Sequence, residues 1–286
     1  PNATLLPPIL ETLENSGIAR DKIKILIATG MHRPNEGAEL EGMVGKHIMD
    51  NYTIITHFCR KEEDLRLIDT IDGAPIEINA HYLDADLKIL TGLIEPHMYA
   101  GYSGGRKSIL PGISSFTTMT HMHSFKMIEQ PAVTNCSLDG NPFHEAGKKV
   151  CELTGVDFIS NVIINKEREM IGIFSGHYDQ AHLAGCQRVK ELASREVKEE
   201  VDMVVTSAGG YPLDATFYQV SKGLIAARNI VKKGGTIIVA CECREGLGSE
   251  EFIEMIMEKN TPEQFFNKYS DPDKFEIDQW CLQTIY

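Results

Sequence analysis

Ile23-Lys-Ile-Leu-Ile-Ala28, followed at once by Thr29-Gly-Met-His-Arg-Pro34, sets the architecture of the chain. The first half is an apolar run between charged and turn residues, the pattern of a strand buried on both faces of a parallel sheet. The second half is then a loop at the carboxyl end of that strand, where open α/β sheets place their ligands. Just upstream, Leu5, Leu6, Ile9, Leu10 and Leu13 form a helical stripe closed by Gly17. Downstream, strands are expected near 52–57, 75–79, 87–91 and 160–164. The last pairs with 169–174 across the turn that begins at Asn165, and a helix follows over about 178–195. Helix alternates with strand throughout, which argues an α/β fold.

The charged stretch Ser194-Arg-Glu-Val-Lys-Glu-Glu200 separates this part from a single βαβ unit. That unit reads as strand 201–206, helix 214–232 with Asp214 as N-cap, Gly234-Gly235 as C-cap and turn, and strand 236–241. A last helix is expected over 249–259. The expected organisation is therefore two α/β domains, 1–195 and 200–278, with 279–286 beginning a return segment and the active site in the cleft between the domains. Both ends read as cut, because Pro1 stands where an initiator Met would and the chain stops within the pattern Asp278 to Tyr286.

Composition narrows the function classes. With 28 Lys and Arg against 41 Asp and Glu, the net charge of -13 argues against nucleic acid as a partner, since phosphate backbones need clustered cations. No apolar run approaches the ~18 residues of a membrane span. The seven cysteines include no C-x-x-C pair, so a reducing, cytoplasmic setting is expected rather than a disulfide framework. Cys241 and Cys243, at the end of an apolar strand, read as buried strand thiols rather than a metal site.

Residues 92–124 hold most of the residues suited to chemistry. Gly101, Gly104, Gly105 and Gly112 are too dense for the interior of an element. Such a run reads either as a surface turn or as a cradle whose backbone N–H groups approach an anion, with Arg106 and Lys107 adding positive charge. The Walker spacing is absent. Residues 114–128 fit a helix with Phe116, Thr120, His123 and Met127 on one face. His121 and His123, two apart, cannot both face one site on such a helix. His97, after Glu95-Pro96, and His32, beside Arg33, sit at strand exits, and imidazole suits proton transfer near neutral pH. Tyr218, Gln219 and Lys222 form a polar patch on the first two turns of their helix. That patch is either a solvated face or a site for a carboxylate, aided by the helix dipole.

Taken together, these stretches resemble the nickel-dependent lactate racemase family. The resemblance lies in Thr29 to Pro34, Glu95-Pro-His97, Gly104-Gly-Arg-Lys-Ser-Ile-Leu-Pro-Gly112, His123, Gly140-Asn-Pro-Phe-His-Glu145 and Tyr211 to Lys222, in that order. It implies a racemase or epimerase of a small 2-hydroxy acid, with lactate the default substrate. The cofactor it implies is a nickel-pincer nucleotide, pyridinium-3-thioamide-5-thiocarboxylic acid mononucleotide, carried covalently on Lys107 in the loop of Gly104, Gly105 and Arg106. It further implies His123 as the protein ligand of nickel, His32 and His97 as the acid–base pair, and Tyr218, Gln219 and Lys222 as substrate-binding residues. Hydride would pass reversibly to the cofactor through a 2-keto acid, and cofactor-biosynthesis enzymes would be partners. The family also carries an Arg-containing motif, Asp-x-Ser/Thr-Arg-Pro, which is expected just upstream of Pro1. Two other readings stay open at this point: an NAD-dependent 2-hydroxy-acid dehydrogenase, and a non-catalytic small-ligand-binding relative. Against the first, the loop Ser207-Ala-Gly-Gly-Tyr-Pro lacks G-x-G-x-x-G.

Overall fold

The computed structural model describes residues 2–211, 213–271 and 274–286; Pro1 and Pro212, the latter within the Tyr211 to Lys222 stretch, lie outside the described residues. The chain packs into two compact units, residues 1–122 with 131–194, and residues 123–130 with 195–286.

The first unit begins with α1 (Asn2–Asn15), β1 (Lys24–Ile27), α2 (Gly37–Val44), α3 (Lys46–Asn51) and β2 (Thr53–Thr56). β1 and β2 pair in parallel, Ile25 opposite Ile54, and Leu6, Leu10, Ile23, Val44 and Ile48 form the core beneath them. The hairpin of β3 (Leu65–Ile71) and β4 (Ala74–Asn79) follows, then α4 (Ala80–Leu83). β5 (Ile89–Leu93) leads into the short ribbon of β6 (Pro96–His97) and β7 (Gly101–Tyr102), and then into α5 (Phe116–Met122). After α6 (Phe125–Ile128), which belongs to the second unit, come α7 (Pro142–Thr154), β8 (Phe158–Ile164), β9 (Met170–Gly176) and α8 (Tyr178–Ala193). β8 lies between β5, parallel, and β9, antiparallel. Ile94, Tyr102, Ile163, Cys186 and Val189 pack together beside this sheet, and α8 supplies the last two.

The second unit is built on β10 (Val201–Ser207), α9 (Phe217–Arg228) and β11 (Val231–Ala240), with β10 and β11 parallel as a βαβ unit requires. α10 (Glu250–Met257), α11 (Pro262–Tyr269) and α12 (Gln279–Ile285) complete it.

Four local expectations change. Gly234 and Gly235 lie inside β11, where the register with β10 shifts, and do not end a helix. The N-cap of α9 is Thr216, whose hydroxyl accepts from Gln219 N, because Asp214 is drawn off to accept from Glu242 N at 3.1 Å. The helix expected over 114–128 is two helices, α5 and α6, with His123 and Ser124 at the break, where Ser124 adopts extended backbone. Cys241 is exposed and Cys243 half-buried, because β11 ends at Ala240 and the thiols stand on the loop beyond it, 3.5 Å apart.

Candidate functional site

In the first unit, the His32 loop and the Lys107 loop are joined through their backbones. Gly30 N donates to Gly112 O at 2.9 Å, and His32 N closes a turn on Thr29 O. The Thr29 hydroxyl donates to His57 O at 2.6 Å. The His57 ring, 1% exposed, lies between Asn79 Nδ2 at 3.1 Å and Ser114 O at 2.9 Å. Since the Asn79 amide donates to Nδ1, His57 Nε2 carries the proton and donates to Ser114 O. Burial keeps the ring neutral by lowering its pKa. His57 went unnoticed in the sequence, where nothing distinguishes it from a surface histidine after a strand.

His97 lies on β6. Its Nδ1 accepts from Tyr99 N at 3.2 Å and Ala100 N at 3.1 Å, so the neutral ring bears its proton on Nε2. Tyr99 is fixed in turn by Asn141, whose Nδ2 donates to Tyr99 O at 2.7 Å while its Oδ1 caps α7. Three residues on, His144 reaches Arg106. One short motif, Gly140-Asn-Pro-Phe-His-Glu145, therefore braces both the His97 segment and the Lys107 turn.

That turn is tight. Gly104 and Gly105 have φ of 74° and 50°, and a Cβ on Gly105 would stand 2.6 Å from His182 Cδ2. Asn161 Oδ1 accepts from Gly105 N at 2.7 Å, while Asn161 Nδ2 is buried without a hydrogen-bond partner. Arg106 turns inward, where its charge is paired with Asp179. It is 3% exposed and bonded to Asp179 and His144. Lys107 is half-buried.

In the second unit, the His123 ring lies 4.9 Å from that of Trp280, and Trp280 Nε1 donates to the Tyr218 hydroxyl at 3.2 Å. Tyr218 also stands edge-on to Phe252 at 5.5 Å. Desolvation holds its phenol protonated, with a pKa well above the ordinary value. α12 anchors the 123–130 segment, since Gln283 Nε2 donates to Phe125 O at 3.0 Å and Glu129 Oε1 at 2.7 Å. The first N–H groups of α9 are all taken: Phe217 N by Gly246 O, Tyr218 N by Leu247 O, and Gln219 N and Val220 N by Thr216. A carboxylate at this helix would therefore meet side chains, Gln219 and the exposed Lys222, and not the helix terminus.

Comparison with known proteins gives this geometry a family. The lactate racemase N-terminal domain matches residues 1–135 and the lactate racemase C-terminal domain residues 197–286. Lactate racemase from Thermoanaerobacterium thermosaccharolyticum is 38% identical over 288 residues, covering 100% of this chain and 67% of that protein. The chain belongs to the lactate racemase family. It is an enzyme of the isomerase class. Lactate racemase from Lactiplantibacillus plantarum is 36% identical over 289 residues, 100% of this chain and 68% of that one. The apoprotein structure of the Thermoanaerobacterium racemase superposes with a TM-score of 0.94 over 99% of this chain and 68% of its own length. A Thermotoga maritima protein of 18% identity, covering 96% of this chain and 72% of its own, shares the fold at a TM-score of 0.69.

Among the described residues, no three His, Cys, Asp or Glu are arranged to hold a metal ion. His123 is the only histidine of the second unit. The orphaned Asn161 amide beside Gly104 and Gly105 is a buried donor of the kind a bound nucleotide would satisfy. That donor fits a nucleotide held at the Lys107 turn. No described helix is long and apolar enough to cross a membrane. Asn141 and His144 lie in the Gly140 to Glu145 motif but have no role assigned from sequence; the residues that sequence reasoning missed are His57, Asn161, Asp179 and Trp280. Of these, only Trp280 carried a signal, as the single Trp of the chain.

Proposed function

We propose that this protein racemises or epimerises a small 2-hydroxy acid, with lactate as the default substrate, using a nickel-pincer nucleotide carried on Lys107. His123 would be the protein ligand of nickel. When bound, the group supplies a reversible hydride acceptor, which opens a route through the 2-keto acid that proton abstraction from lactate does not.

The protein residues supply the rest. His97 enters with its proton on Nε2 and Nδ1 taken by two backbone amides, so Nε2 is the atom that exchanges a proton with the substrate hydroxyl. His32 is proposed to do the same for the opposite enantiomer. Gln219 and Lys222 hold the carboxylate by an amide donor and an ammonium, and the neutral Tyr218 phenol stands beside them. The observation that carries the reading is the bond between Gly30 N and Gly112 O, which ties the His32 loop to the Lys107 loop in a chain of this family. A cytoplasmic location and loading by cofactor-biosynthesis enzymes belong to the same proposal.

Protein co-expressed with those biosynthetic enzymes should carry about one nickel and an added mass that Lys107→Ala abolishes. It should interconvert L- and D-lactate by chiral chromatography. His32→Ala and His97→Ala should each lower turnover on the order of 10²–10⁴-fold in both directions. An adduct that survives Lys107→Ala, or near wild-type rates in either histidine variant, would refute the assignment. A nickel-free protein that reduces NAD with lactate would point to the dehydrogenase instead.

A further inference from the structure

Arg106 is the charged residue least suited to its surroundings. The backbone of its turn is already closed without it, by Lys107 N on Gly104 O and by Ile109 N and Leu110 N on Arg106 O. Yet the guanidinium is carried into the interior of the first unit. Its Nη2 donates to Asp179 Oδ1 at 2.7 Å, and Nη1 lies 3.0 Å from His144 Nε2. Nε has no partner. The neighbours are cut to fit it. A Cβ on Gly147 of α7 would stand 3.0 Å from Arg106 Cγ. His182 of α8 backs Gly105 and lies 3.0 Å, through Nε2, from Ser103 O. His144 and His182 are held neutral, their pKa pushed to about 4 by burial and then by the Arg106 charge, so His144 remains an acceptor at neutral pH.

A buried ion pair is a poor way to gain stability, because desolvating both charges offsets most of their attraction. What it does provide is direction. Asp179 lies in the first turn of α8 and His144 in the first turn of α7, so one guanidinium is fixed from two helices at once. The residue that follows it is Lys107.

We infer that Asp179 and Arg106 are positioning residues: their ion pair clamps the Gly105–Ser108 turn onto α7 and α8 and thereby presents the Lys107 amine in one attitude for cofactor attachment. This rests on the reading of Lys107 as the attachment point. In that attachment Lys107 Nζ bonds to a thiocarboxyl carbon; the amine gives up a hydrogen, the thiocarboxyl its hydroxyl, and the two leave as water.

The test compares Asp179→Asn with the double variant Arg106→Met/Asp179→Leu. The double variant leaves no charge unpaired and should recover the wild-type Tm. If the pair positions Lys107, adduct occupancy by intact mass after co-expression with the biosynthetic enzymes should still fall, on the order of tenfold or more. The apoprotein gives a second reading that needs no cofactor. Limiting N-hydroxysuccinimide acetate should acylate Lys107, relative to the exposed Lys166, in a ratio that both variants shift several-fold. A double variant with wild-type Tm, wild-type adduct and an unchanged labelling ratio would overturn the inference and leave the pair a folding role. Absence of adduct in the wild-type protein would instead overturn the Lys107 reading, and the labelling ratio would still decide the clamp. Should the double variant fail to fold, Asp179→Glu keeps the charge but displaces it, and an unchanged labelling ratio there overturns the clamp.

Discussion

The Lys107 turn and the start of α9 are fixed by opposite means. The first is pinned by side chains: Asn161 on Gly105 N, and Asp179 and His144 on a buried guanidinium. The second is strapped by backbone, with Gly246 O and Leu247 O on Phe217 N and Tyr218 N, Asp214 O on Cys243 N, and Ala215 O on Glu245 N. A turn held by buried ionisable groups inherits their titration and tolerates no added atom. A helix start held by a ladder of carbonyls responds to neither, and its adjustable part is the aromatic contact above it.

Acid should separate the two most strongly. His144 and His182 have pKa values pushed from 6.5 to about 4, and His57 shifts the same way. A histidine depressed in the folded state binds its proton more readily when unfolded. Its stabilisation is therefore complete above about pH 6.5 and is lost as pH falls toward 4. At about 1.4 kcal/mol per unit this is roughly 3 kcal/mol for each of His144 and His182, and less than the sum for the two because both answer to Arg106. In the second unit burial raises the carboxyl pKa of Asp278, so that site gains as pH falls. Hydrogen exchange on the apoprotein between pH 7 and 4.5 should show α7 and α8 losing protection before α9 and α12. His144→Gln/His182→Gln should flatten that dependence. Uniform loss across both units would break the distinction.

The sequence already contained much of this contrast, but not its cause. The apolar run at 23–28, the hairpin of β8 and β9, and the βαβ unit of β10, α9 and β11 were legible because each follows from local periodicity and turn residues. The break at His123 was not, because Phe116, Thr120, His123 and Met127 keep helical spacing straight through it. What ends α5 there is packing of the next segment against α12, with Gln283 holding Phe125 and Glu129 from more than 150 residues away. Asp214 and Thr216 are both acceptable caps in sequence, and the loop after β11 decides between them by taking Asp214. Arg106 reads in the sequence as positive charge for an anion cradle, and its partner Asp179 is 73 positions distant. The site motifs were legible as residue types; the direction of each side chain was set by contacts that no spacing encodes.

Glycine substitutions test the same contrast at smaller cost. Gly105→Ala places a methyl against His182, with positive φ besides, and should destabilise by about 2–4 kcal/mol through steric overlap and backbone strain. Gly246 also has positive φ, 92°, but nothing lies within 4 Å of an added Cβ. Gly246→Ala should cost about 1 kcal/mol, from backbone strain alone. Urea midpoints of the two variants measure the difference, and equal costs would mean that the side-chain pinning of the Lys107 turn is no tighter than the strap at α9.

A pair of substitutions at Trp280, the milder of them as small in effect as Gly246→Ala, probes the adjustable part of the second unit. Two of the indole's contacts are separable: its N–H donates to the Tyr218 hydroxyl at 3.2 Å, and its rings lie 4.9 Å from His123. Trp280→Phe removes the first and keeps a ring near the second. The lost donor is neutral and its partner can still donate elsewhere, so the change should be about 1 kcal/mol in urea unfolding followed by circular dichroism. Trp280→Ala removes both contacts and leaves a cavity at a site 3% exposed, which should cost about 3–5 kcal/mol. If the indole N–H were the main restraint on Tyr218, the two variants would converge, and the phenol rather than the ring stack would be what orders the His123 segment. A wide gap between them places that task on the ring, and makes the 123–130 segment an element held by aromatic packing where the Lys107 turn is held by charge.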